Sequence, residues 1–397
     1  MENYTLIDTQ FIERPLSTGS LFENRRRAVM LSPEGYEVTL IVVAYNRLEK
    51  VKQCVESILK YSGDVNYELL LIDNGSTDGT LEYFQSVEYE HKRIICITKN
   101  LGAFYPIMTI DFSSLGEYFC CINDDACLTP HWLENLLTCI KSDLRIGLAA
   151  PMYFCPLRDT ESELSVSFVD YEDMLEKSKE CNISNSRKWR DMVGCTTFCT
   201  LYRKEAILSV GWPYWDLGFH HDFADIDLGF RMRRMGYRTV QAGDTWVYHN
   251  HPQDHVRDAE LDISYTIGNQ NLEKKYFGIV MKDIISFSSP YSPPAYLQKL
   301  PSPVITEKMS VLGVDVGCGT SALDVKNWLI SLGASTVEMS AFTRDPKFWV
   351  DLKTICSGNV VCDREEFLLS DFPTETFDYV VVDNPINCYH DPQVMLQ

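Results

Sequence analysis

Acidic and amide side chains follow several apolar runs of the sequence at the points where those runs end. Asp73 and Asn100 each come just after such a run, and Asn123-Asp124-Asp125 follows residues 118–122 directly. If these runs are strands of one doubly wound sheet, the polar residues lie at its carboxyl edge, where such sheets bind ligands. The sequence therefore predicts one crevice lined by polar groups from three strands.

Asp124 and Asp125 form a pair whose charges need a partner. Adjacent carboxylates at the end of an apolar strand raise each other's pKa and destabilise the fold, and a divalent cation removes that cost. Carboxylate oxygens suit Mg²⁺ or Mn²⁺, which bind one or two carboxylates together with substrate phosphates. The alternative is that the pair caps the following turn and helix, because Thr129-Pro130 is a helix-start signal.

A loop rich in glycine, asparagine and aspartate spans residues 73–79, between a predicted strand and a predicted helix. It contains neither the GxxxxGK[ST] nor the GxGxxG phosphate-binding pattern. Its simplest interpretation is a turn that caps the following helix. A nucleotide bound at this loop would therefore be held by side chains.

Apolar runs of strand length alternate with stretches of helical spacing from residue 37 onward. This alternation predicts an α/β architecture with a parallel, doubly wound sheet. The predicted strands are residues 38–44, 68–72, 93–97, 118–122, 147–150 and 239–241, and a further element of unassigned type is predicted at 194–201. The predicted helices are residues 51–59, 104–110, 132–140, 171–179, 204–210 and 226–235, with one more near residue 81.

A proline-rich stretch divides the chain. Five prolines between residues 286 and 305 block regular structure and predict a linker or an extended strap. Beyond it, strands are predicted at 311–316, 335–339, 359–362 and 377–382, with helices through 332 and at 348–355. The predicted organisation is an N-terminal extension at 1–36, a first domain at 37–285, a linker at 286–308 and a second, partial α/β domain at 309–397.

Composition restricts the class of protein. The chain has 397 residues, a net charge of −20, and 45% hydrophobic and 23% charged residues, which predicts folded domains with apolar cores. The acidic balance argues against nucleic acid or an anionic membrane as the main partner. The 14 cysteines include no CxxC pair and predict free thiols. Because neither a secretory signal nor a membrane-spanning run is visible, we expect a cytoplasmic protein.

Five motifs occur in order between residues 41 and 133. They are Ile41-Val-Val-Ala-Tyr-Asn46, Leu71-Ile-Asp-Asn-Gly-Ser-Thr-Asp78, Asn100-Leu-Gly102, Asn123-Asp-Asp125 and Pro130-His-Trp-Leu133. Together they resemble the GT-A glycosyltransferases of family 2, and the Pro-x-Trp-Leu element after the acidic motif is typical of the rhamnosyltransferase-like members. The resemblance implies a GT-A fold, which is a Rossmann-like nucleotide-diphospho-sugar transferase domain.

The resemblance also implies a donor site. The nucleoside of the donor would lie against Ala44, Tyr45 and Asp73, with Asp73 facing the base. Asn100 and Gly102 match a turn that lies beside the donor in the family.

A metal site is implied next to the donor site. Asn123 and Asp124 occupy the first positions of the acidic motif, near the ribose, and Asp125 occupies the metal-ligand position. His249 falls where many members place a histidine that completes the metal or diphosphate site. The alternative for His249 is an ordinary hydrogen-bonding residue after a strand.

Residues 211–231 resemble the catalytic segment of the family, in which Asp225 matches the general base. A sugar hydroxyl that attacks an anomeric carbon loses its proton in the transition state, and a positioned carboxylate suits that task. Asp216 and Asp227 match two further acids, which would support the acceptor or the helix end. Ala224 replaces the usual glutamate. The alternative is that these acids form the favourable acidic start of a helix whose far end carries three arginines.

The C-terminal residues resemble the first half of a class I S-adenosylmethionine-dependent methyltransferase. A strand at 311–316 runs into a glycine turn, and acids follow at spacings that suit a ribose and an adenine. The implied cofactor residues are Asp315, Gly317 and Gly319 for the cradle, Glu338 for the ribose and Asp363 for the adenine, with Ser321 in place of a third glycine. Because the pattern stops after a fourth strand, we expect a piece of a longer protein; the alternative is a degenerate docking domain. The exposed strand edge and apolar face of such a half domain favour homo-oligomers.

The leading hypothesis is an inverting, metal-dependent glycosyltransferase. It would move a hexosyl or deoxyhexosyl group from a UDP-, dTDP- or GDP-linked donor to a hydroxyl of a glycan, in surface polysaccharide synthesis. One alternative is a bifunctional enzyme that also methylates with S-adenosylmethionine, and another is a non-catalytic sugar-nucleotide-binding scaffold, motivated by Ala224. A nucleotidyltransferase is disfavoured because residues 44–49 offer no glycine-rich loop.

Overall fold

Ten strands form one mixed sheet in the computed structural model of the chain. The structure describes residues 4–7, 35–154, 168–194, 197–219, 223–250, 255–284, 297, 299–373 and 376–393. The strands are β1 Thr5–Ile7, β2 Val38–Ala44, β3 Tyr67–Asp73, β4 Lys92–Ile97, β5 Tyr118–Asn123, β6 Ala126–Cys127, β7 Ile146–Phe154, β8 Trp189–Met192, β9 Cys199–Arg203 and β10 Arg238–His249.

Their order in the sheet is β1-β4-β3-β2-β5-β9-β7-β10-β6, and β8 also pairs with β10. Helices connect and cover the strands. They are α1 Leu48–Tyr61, α2 Thr80–Ser86, α3 Trp132–Lys141, α4 Tyr171–Cys181, α5 Lys204–Val210, α6 Ala224–Arg234, α7 His255–Lys275 and α8 Met281–Ile284.

The expectation of a purely parallel sheet is wrong. β2 runs parallel to β3 and β5, and β3 runs parallel to β4, as predicted. However, β9 is antiparallel to both β5 and β7, and β6 and β8 are antiparallel to β10. A strand that is buried on both faces carries the same continuous apolar run in either direction, so the sequence pattern does not report direction.

Successive residues of β2 pack in different apolar cores. Leu40 and Val42 belong to one core together with Ile58 of α1. Ile41 points to the opposite face and belongs to a second core together with Phe230 of α6. Because side chains alternate along a strand, both faces of the sheet are covered. The ends of the strands are therefore the part of the sheet that remains open to a ligand.

Two predicted elements differ in the structure. Residues 104–110 contain only a short 3₁₀ turn, Ile107–Thr109, instead of a helix. Three residues of that stretch are β-branched, which disfavours a helix, and Ile107 and Ile110 are buried without one. The strand expected at 239–241 extends from Arg238 to His249, and the long helix α7 was not predicted.

A second sheet, which is parallel, follows along the chain. The elements of this unit are β11 Lys308–Val314, α9 Thr320–Leu332, β12 Thr336–Thr343, α10 Trp349–Ile355, β13 Val360–Cys362, α11 Leu368–Asp371 and β14 Tyr379–Val382. The strand order is β13-β12-β11-β14, which confirms the prediction of a second α/β unit. The position expected for Glu338 is wrong, because the strand expected at 335–339 continues through the buried residues Ala341 and Phe342 and Glu338 lies near its start.

The two sheets share one hydrophobic core. Phe230 and Met232 of α6 belong to the same buried cluster as Val311 of β11 and Leu352 of α10. Leu297, from the predicted linker, is also buried in this cluster. Just over half of the predicted linker, residues 286–296 and 298, lies outside the described residues. The second unit is therefore packed against the first rather than separated from it.

The predicted N-terminal extension is described only at residues 4–7 and 35–36. Three of those residues form β1, which pairs in parallel with β4 at the edge of the first sheet. Within the described ranges, no helix combines the length and the apolar character that crossing a membrane requires.

The edge strand β14 generates a prediction about assembly. Its outer side pairs with no other described strand, and Val380 on it is 54% exposed. We expect self-association that Val380→Lys reduces, because a lysine on an edge strand opposes pairing with a second copy. Light scattering over a concentration series measures this. Val304→Lys, at an exposed valine outside any strand, is the control, and a strictly monomeric wild type at high concentration would contradict the prediction.

Candidate active site

The side chain of Asn74 joins the ends of β3 and β4. Its Nδ2 donates to Asn100 Oδ1 at 2.9 Å and to the carbonyl oxygen of Gly102 at 3.1 Å. Its Oδ1 accepts from the backbone N–H of Leu101 at 2.9 Å. Asn100 Oδ1 in turn accepts from the N–H of Gly102 at 2.8 Å. The turn that was expected beside the donor is therefore fixed by one buried amide.

The loops after β2, β3 and β4 also touch one another. Gly75 has a φ of +82°, and a Cβ at this position would lie 2.6 Å from the Cα of Lys99. A side chain at Gly75 would push these two loops apart. On the other side, Asn46 Oδ1 accepts from the backbone N–H of Thr77 at 2.8 Å. Three loops thus form one wall of the crevice.

The three residues expected to contact the nucleoside lie together. Strand register places Ala44 beside Asp73, and Tyr45 follows directly. Burial raises the pKa of Asp73, while hydrogen bonds from Ser76 oppose the rise. Tyr45 is 41% exposed. The crevice therefore presents a buried carboxyl group beside an exposed aromatic ring, a combination that suits a nucleobase.

Asp124 and Asp125 lie at the end of β5 with one guanidinium group between them. Arg47 Nη1 lies 3.2 Å from Asp124 Oδ1 and 3.3 Å from Asp125 Oδ2. Burial raises the pKa of Asp124 to about 6, Arg47 opposes the rise, and Asp125 adds to it. The pair is thus partly compensated by a cation from the loop after β2, as its charge requires.

His249 meets Asp125 because of strand register. β10 pairs with β6 so that His249 lies opposite Ala126, the residue after Asp125. His249 Nε2 lies 3.2 Å from Asp125 Oδ1, and the imidazole ring stacks on Phe198 at 4.7 Å between ring centroids. The backbone N–H of Asn250 donates to the carbonyl oxygen of Asp125 at 2.8 Å. The two predicted metal ligands are therefore neighbours with fixed orientations.

The side chains of Asp125 and His249 fit a shared metal ion. Among the described residues, no group of three or more His, Cys, Asp or Glu side chains forms a ready-made metal cage. Neighbouring ligands of an octahedral ion of this size lie about 3 Å apart, close to the 3.2 Å between Asp125 Oδ1 and His249 Nε2. One carboxylate and one imidazole suit Mn²⁺ better than Mg²⁺, which prefers oxygen ligands. The remaining ligands would come from a bound diphosphate and water.

Asp225 is connected to this centre by two residues. The backbone N–H of Thr197 donates to Asp225 Oδ2 at 2.9 Å. The next residue, Phe198, stacks on His249, and its carbonyl oxygen accepts from the N–H of Asn123 at 2.7 Å. Residues 197–198 therefore contact the predicted base, the predicted metal ligand and the end of β5. Residues 220–222, which belong to the catalytic segment of the resemblance, lie outside the described residues.

The two further acids have different environments. Asp227 is fully buried, and it pairs with Lys275 and Arg231 and accepts from Tyr276 Oη at 2.6 Å. This geometry matches the helix-support alternative, because an acceptor cannot reach Asp227. Asp216 is partly exposed and pairs with Lys275 at 2.6 Å. It lines a shallow groove between residues 101–105 and 215–219, so the acceptor alternative remains open for it.

Sequence reasoning missed the residues that hold these groups in place. Arg47 neutralises the acidic pair, Asn74 fixes the donor turn, and Thr197 orients Asp225. The need for a cation beside two aspartates was a usable signal, because Arg47 follows the strand that pairs with β5. The roles of Asn74 and Thr197 depend on contacts between distant segments and leave no pattern in the sequence.

The glycine turn of the second sheet is covered by the chain itself. The N–H of Cys318 donates to the carbonyl oxygen of Asp283 at 3.2 Å, and Thr320 Oγ1 donates to that of Ile284 at 3.1 Å. A Cβ at Gly317 would lie 3.6 Å from Asp283. The space where a cofactor would meet the predicted cradle is thus taken by α8.

The other predicted S-adenosylmethionine residues do not complete a site. Asp315 pairs with Arg344 at 2.6 Å, and Asp363 is exposed after β13. Glu338 was expected at the end of a strand near Gly317, but it pairs in register with Ser310 near the start of β11. About 17 Å of strand separates Glu338 from Thr343, the last residue of β12. The residues present therefore do not fit S-adenosylmethionine.

Part of the chain is similar to known proteins. Residues 39–211 match the family described as Glycosyl transferase family 2. A glycosyltransferase of Haemophilus influenzae is 31% identical over 109 residues, which are 27% of this chain and 33% of that protein. Glycosyltransferase AglE of Haloferax volcanii is 27% identical over 107 residues, which are 26% of this chain and 35% of AglE. The chain spans between 24% and 35% of the length of these and a further curated relative.

Among solved structures, one match is a mannosyltransferase from Pyrobaculum calidifontis in complex with GDP-Man and Mn²⁺. It is 17% identical, with a TM-score of 0.45, over 65% of this chain and 69% of that one.

The raised pKa of Asp124 predicts a pH-dependent stability. Because its pKa is about 6 in the folded state, against about 4 in an unfolded chain, stability falls as pH rises through this window. Ionised Asp124 then costs at most about 3 kcal/mol at pH 7. Asp124→Asn removes this cost. In EDTA, its free energy of unfolding by urea should exceed that of the wild type at pH 7 and match it near pH 4. The same difference at both pH values would contradict the prediction.

Proposed function

We propose that the chain transfers a sugar from a nucleoside diphosphate donor to a hydroxyl group with inversion, because residues 39–211 match glycosyl transferase family 2. The observation that carries the proposal is the contact of residues 197–198 with both Asp225 and His249. This contact supports the proposal, because a base and a diphosphate site on either side of one dipeptide would give the separation of tasks that sugar transfer needs.

Asp225 is the proposed general base. Its Oδ2 is held by the backbone N–H of Thr197 and its Oδ1 by the N–H of Ile226, so the carboxylate is oriented before an acceptor arrives. The carboxylate would take the proton of the acceptor hydroxyl as that oxygen bonds to the anomeric carbon. Ala224, which replaces the usual glutamate, is fully buried in the apolar core and leaves Asp225 in place.

Asp125 and His249 would hold a divalent metal, and that metal would neutralise charge on the leaving diphosphate as a Lewis acid. Arg47 and Lys50 provide further positive charge from the start of α1. Burial lowers the pKa of Lys50, while Asp125 opposes this, and its Nζ donates to the carbonyl oxygen of Asn250. These cations would help to retain the diphosphate after the sugar leaves.

The donor nucleoside would occupy the crevice at Ala44, Tyr45 and Asp73, with Asn123 and Asp124 beside the ribose. Asn100 and Gly102 would contact the donor from the turn that Asn74 holds. UDP, dTDP and GDP donors all remain candidates, as does a rhamnosyl or other hexosyl group. A glycan hydroxyl is the proposed acceptor, and surface polysaccharide synthesis is the proposed setting.

We do not extend the proposal to methyl transfer, because Asp283 and Ile284 cover the glycine turn and Glu338 lies at the opposite edge of the sheet. If donors bind without turnover, the function is that of a non-catalytic sugar-nucleotide-binding scaffold and the proposed transferase activity is wrong.

Nucleotide binding is the first test. We expect Mn²⁺ with a matching nucleoside diphosphate sugar to raise the melting temperature of the wild type, because a ligand that binds only the folded state stabilises it. In Asp125→Ala the shift with Mn²⁺ should be lost, since one of the two protein ligands is gone. Thermal-shift screening of a UDP-, dTDP- and GDP-sugar panel measures this. An equal Mn²⁺-dependent shift in Asp125→Ala would contradict the metal assignment.

Replacing the base is the second test. Asp225→Asn should lower sugar transfer at least about 100-fold while donor affinity stays within about twofold, because the carboxylate acts on the acceptor proton rather than on the donor. Transfer of labelled sugar and calorimetric donor binding measure the two effects. Asp64→Asn, at an exposed acid before β3, is the matched control. Full transfer by Asp225→Asn would overturn the assignment of the base.

A further inference from the structure

The C-terminal end of α6 is attached to the second sheet by a two-point ion pair. Arg234 Nε lies 2.7 Å from Asp351 Oδ1, and Arg234 Nη2 lies 2.9 Å from Asp351 Oδ2. The hydrogen bonds to Asp351 raise the pKa of Arg234, and only 3% of the Asp351 side chain is exposed. Two parallel charge-assisted bonds fix the orientation of the guanidinium as well as its position. The end of α6 is therefore held against α10.

Tyr276 contacts α6 at three positions along the helix. Tyr276 Oη donates to Asp227 at 2.6 Å, and the guanidinium of Arg234 lies 4.8 Å from the centre of the Tyr276 ring. The ring of Phe230 meets Tyr276 edge to face at 4.9 Å. Tyr276 thus contacts both the first turn and the last turn of the helix. A change at Arg234 would therefore alter the position of the Tyr276 side chain and, through it, the hydrogen bond to Asp227.

The opposite end of α6 carries the proposed base. Asp225 lies in the first turn, about 14 Å along the helix axis from Arg234. A hydrogen-bonded helix with its apolar face in a packed core moves as a unit, so the placement of one end constrains the other. Ile226, Leu228 and Met232 of α6 all belong to the core that includes the second sheet. The second unit therefore contacts the catalytic helix directly.

We propose that the second α/β unit is a positioning element of the transferase site, and that Asp351 is its positioning residue. Asp351 anchors Arg234, Arg234 and Tyr276 fix α6, and α6 places Asp225. This inference rests on the proposed function. It also explains why the unit is joined by ion pairs to the helix that carries the base and not only to the outside of the sheet.

A matched pair of variants tests the proposal in the full chain. Asp351→Asn removes the charge that anchors α6. Asp324→Asn removes the partner of Arg190, whose Nη2 lies 3.2 Å from Asp324 Oδ1 across the same junction, between β8 and α9. We expect Asp351→Asn to lower kcat about tenfold or more, with KM for the donor within about twofold of the wild type. Asp324→Asn should lower the melting temperature without this loss of kcat.

Hydrogen exchange provides a readout that does not depend on turnover. Backbone amides of residues 225–228 should exchange faster in Asp351→Asn than in Asp324→Asn or the wild type. Arg234→Lys keeps the charge but not the two-point geometry, and it should give an intermediate kcat. If Asp351→Asn does not fold, the kcat of Arg234→Lys tests the proposal instead.

Two results would overturn the positioning role. One is unchanged kcat in Asp351→Asn when the wild type turns over its donor, and the other is an equal loss of kcat in Asp324→Asn. A wild type that turns over no donor would count against the proposed function instead. In that case unchanged exchange at residues 225–228 in Asp351→Asn would still overturn the positioning role.

Discussion

Two adjacent carboxylates at the end of a strand impose a charge balance that the surrounding loops meet together. Asp125 is 3% exposed, and both aspartates need compensating groups from other parts of the chain. Strand order supplies them. β5 lies beside β2, which leads into Arg47, and β6 lies beside β10, which ends at His249. The pairing that builds the sheet therefore also brings the groups of the crevice together.

At the junction between the two sheets, a buried carboxylate is likewise compensated by cations from different parts of the chain. Asp191 is buried there and pairs with Arg238 of the first unit and Lys326 of the second. Although burial opposes it, Lys326 and Arg238 hold the pKa of Asp191 below its usual range. Asn327 bonds both the N–H and the carbonyl oxygen of the same residue. Buried ion pairs contribute little net stability, but they penalise any other orientation of the two units.

Much of the site could be predicted because it depends on strand ends. The residues at the ends of β2, β3, β4 and β5 were expected to lie together, and the structure brings them together. The family model confirms the glycosyltransferase resemblance over residues 39–211. The direction of β9, the place of Glu338 and the role of Arg47 could not be predicted in the same way. Apolar runs do not encode direction, a strand boundary moves with tertiary burial, and a counter-ion is chosen by distance in space.

Asp283 and Ile284, which cover the glycine turn, precede that turn in the chain and leave the ribosome before Gly317 and Cys318. Domains generally fold from the N-terminus during translation. The first unit can thus offer two carbonyl groups to the turn as the second unit folds. The second unit, released alone, would lack these two hydrogen-bond partners of Cys318 and Thr320.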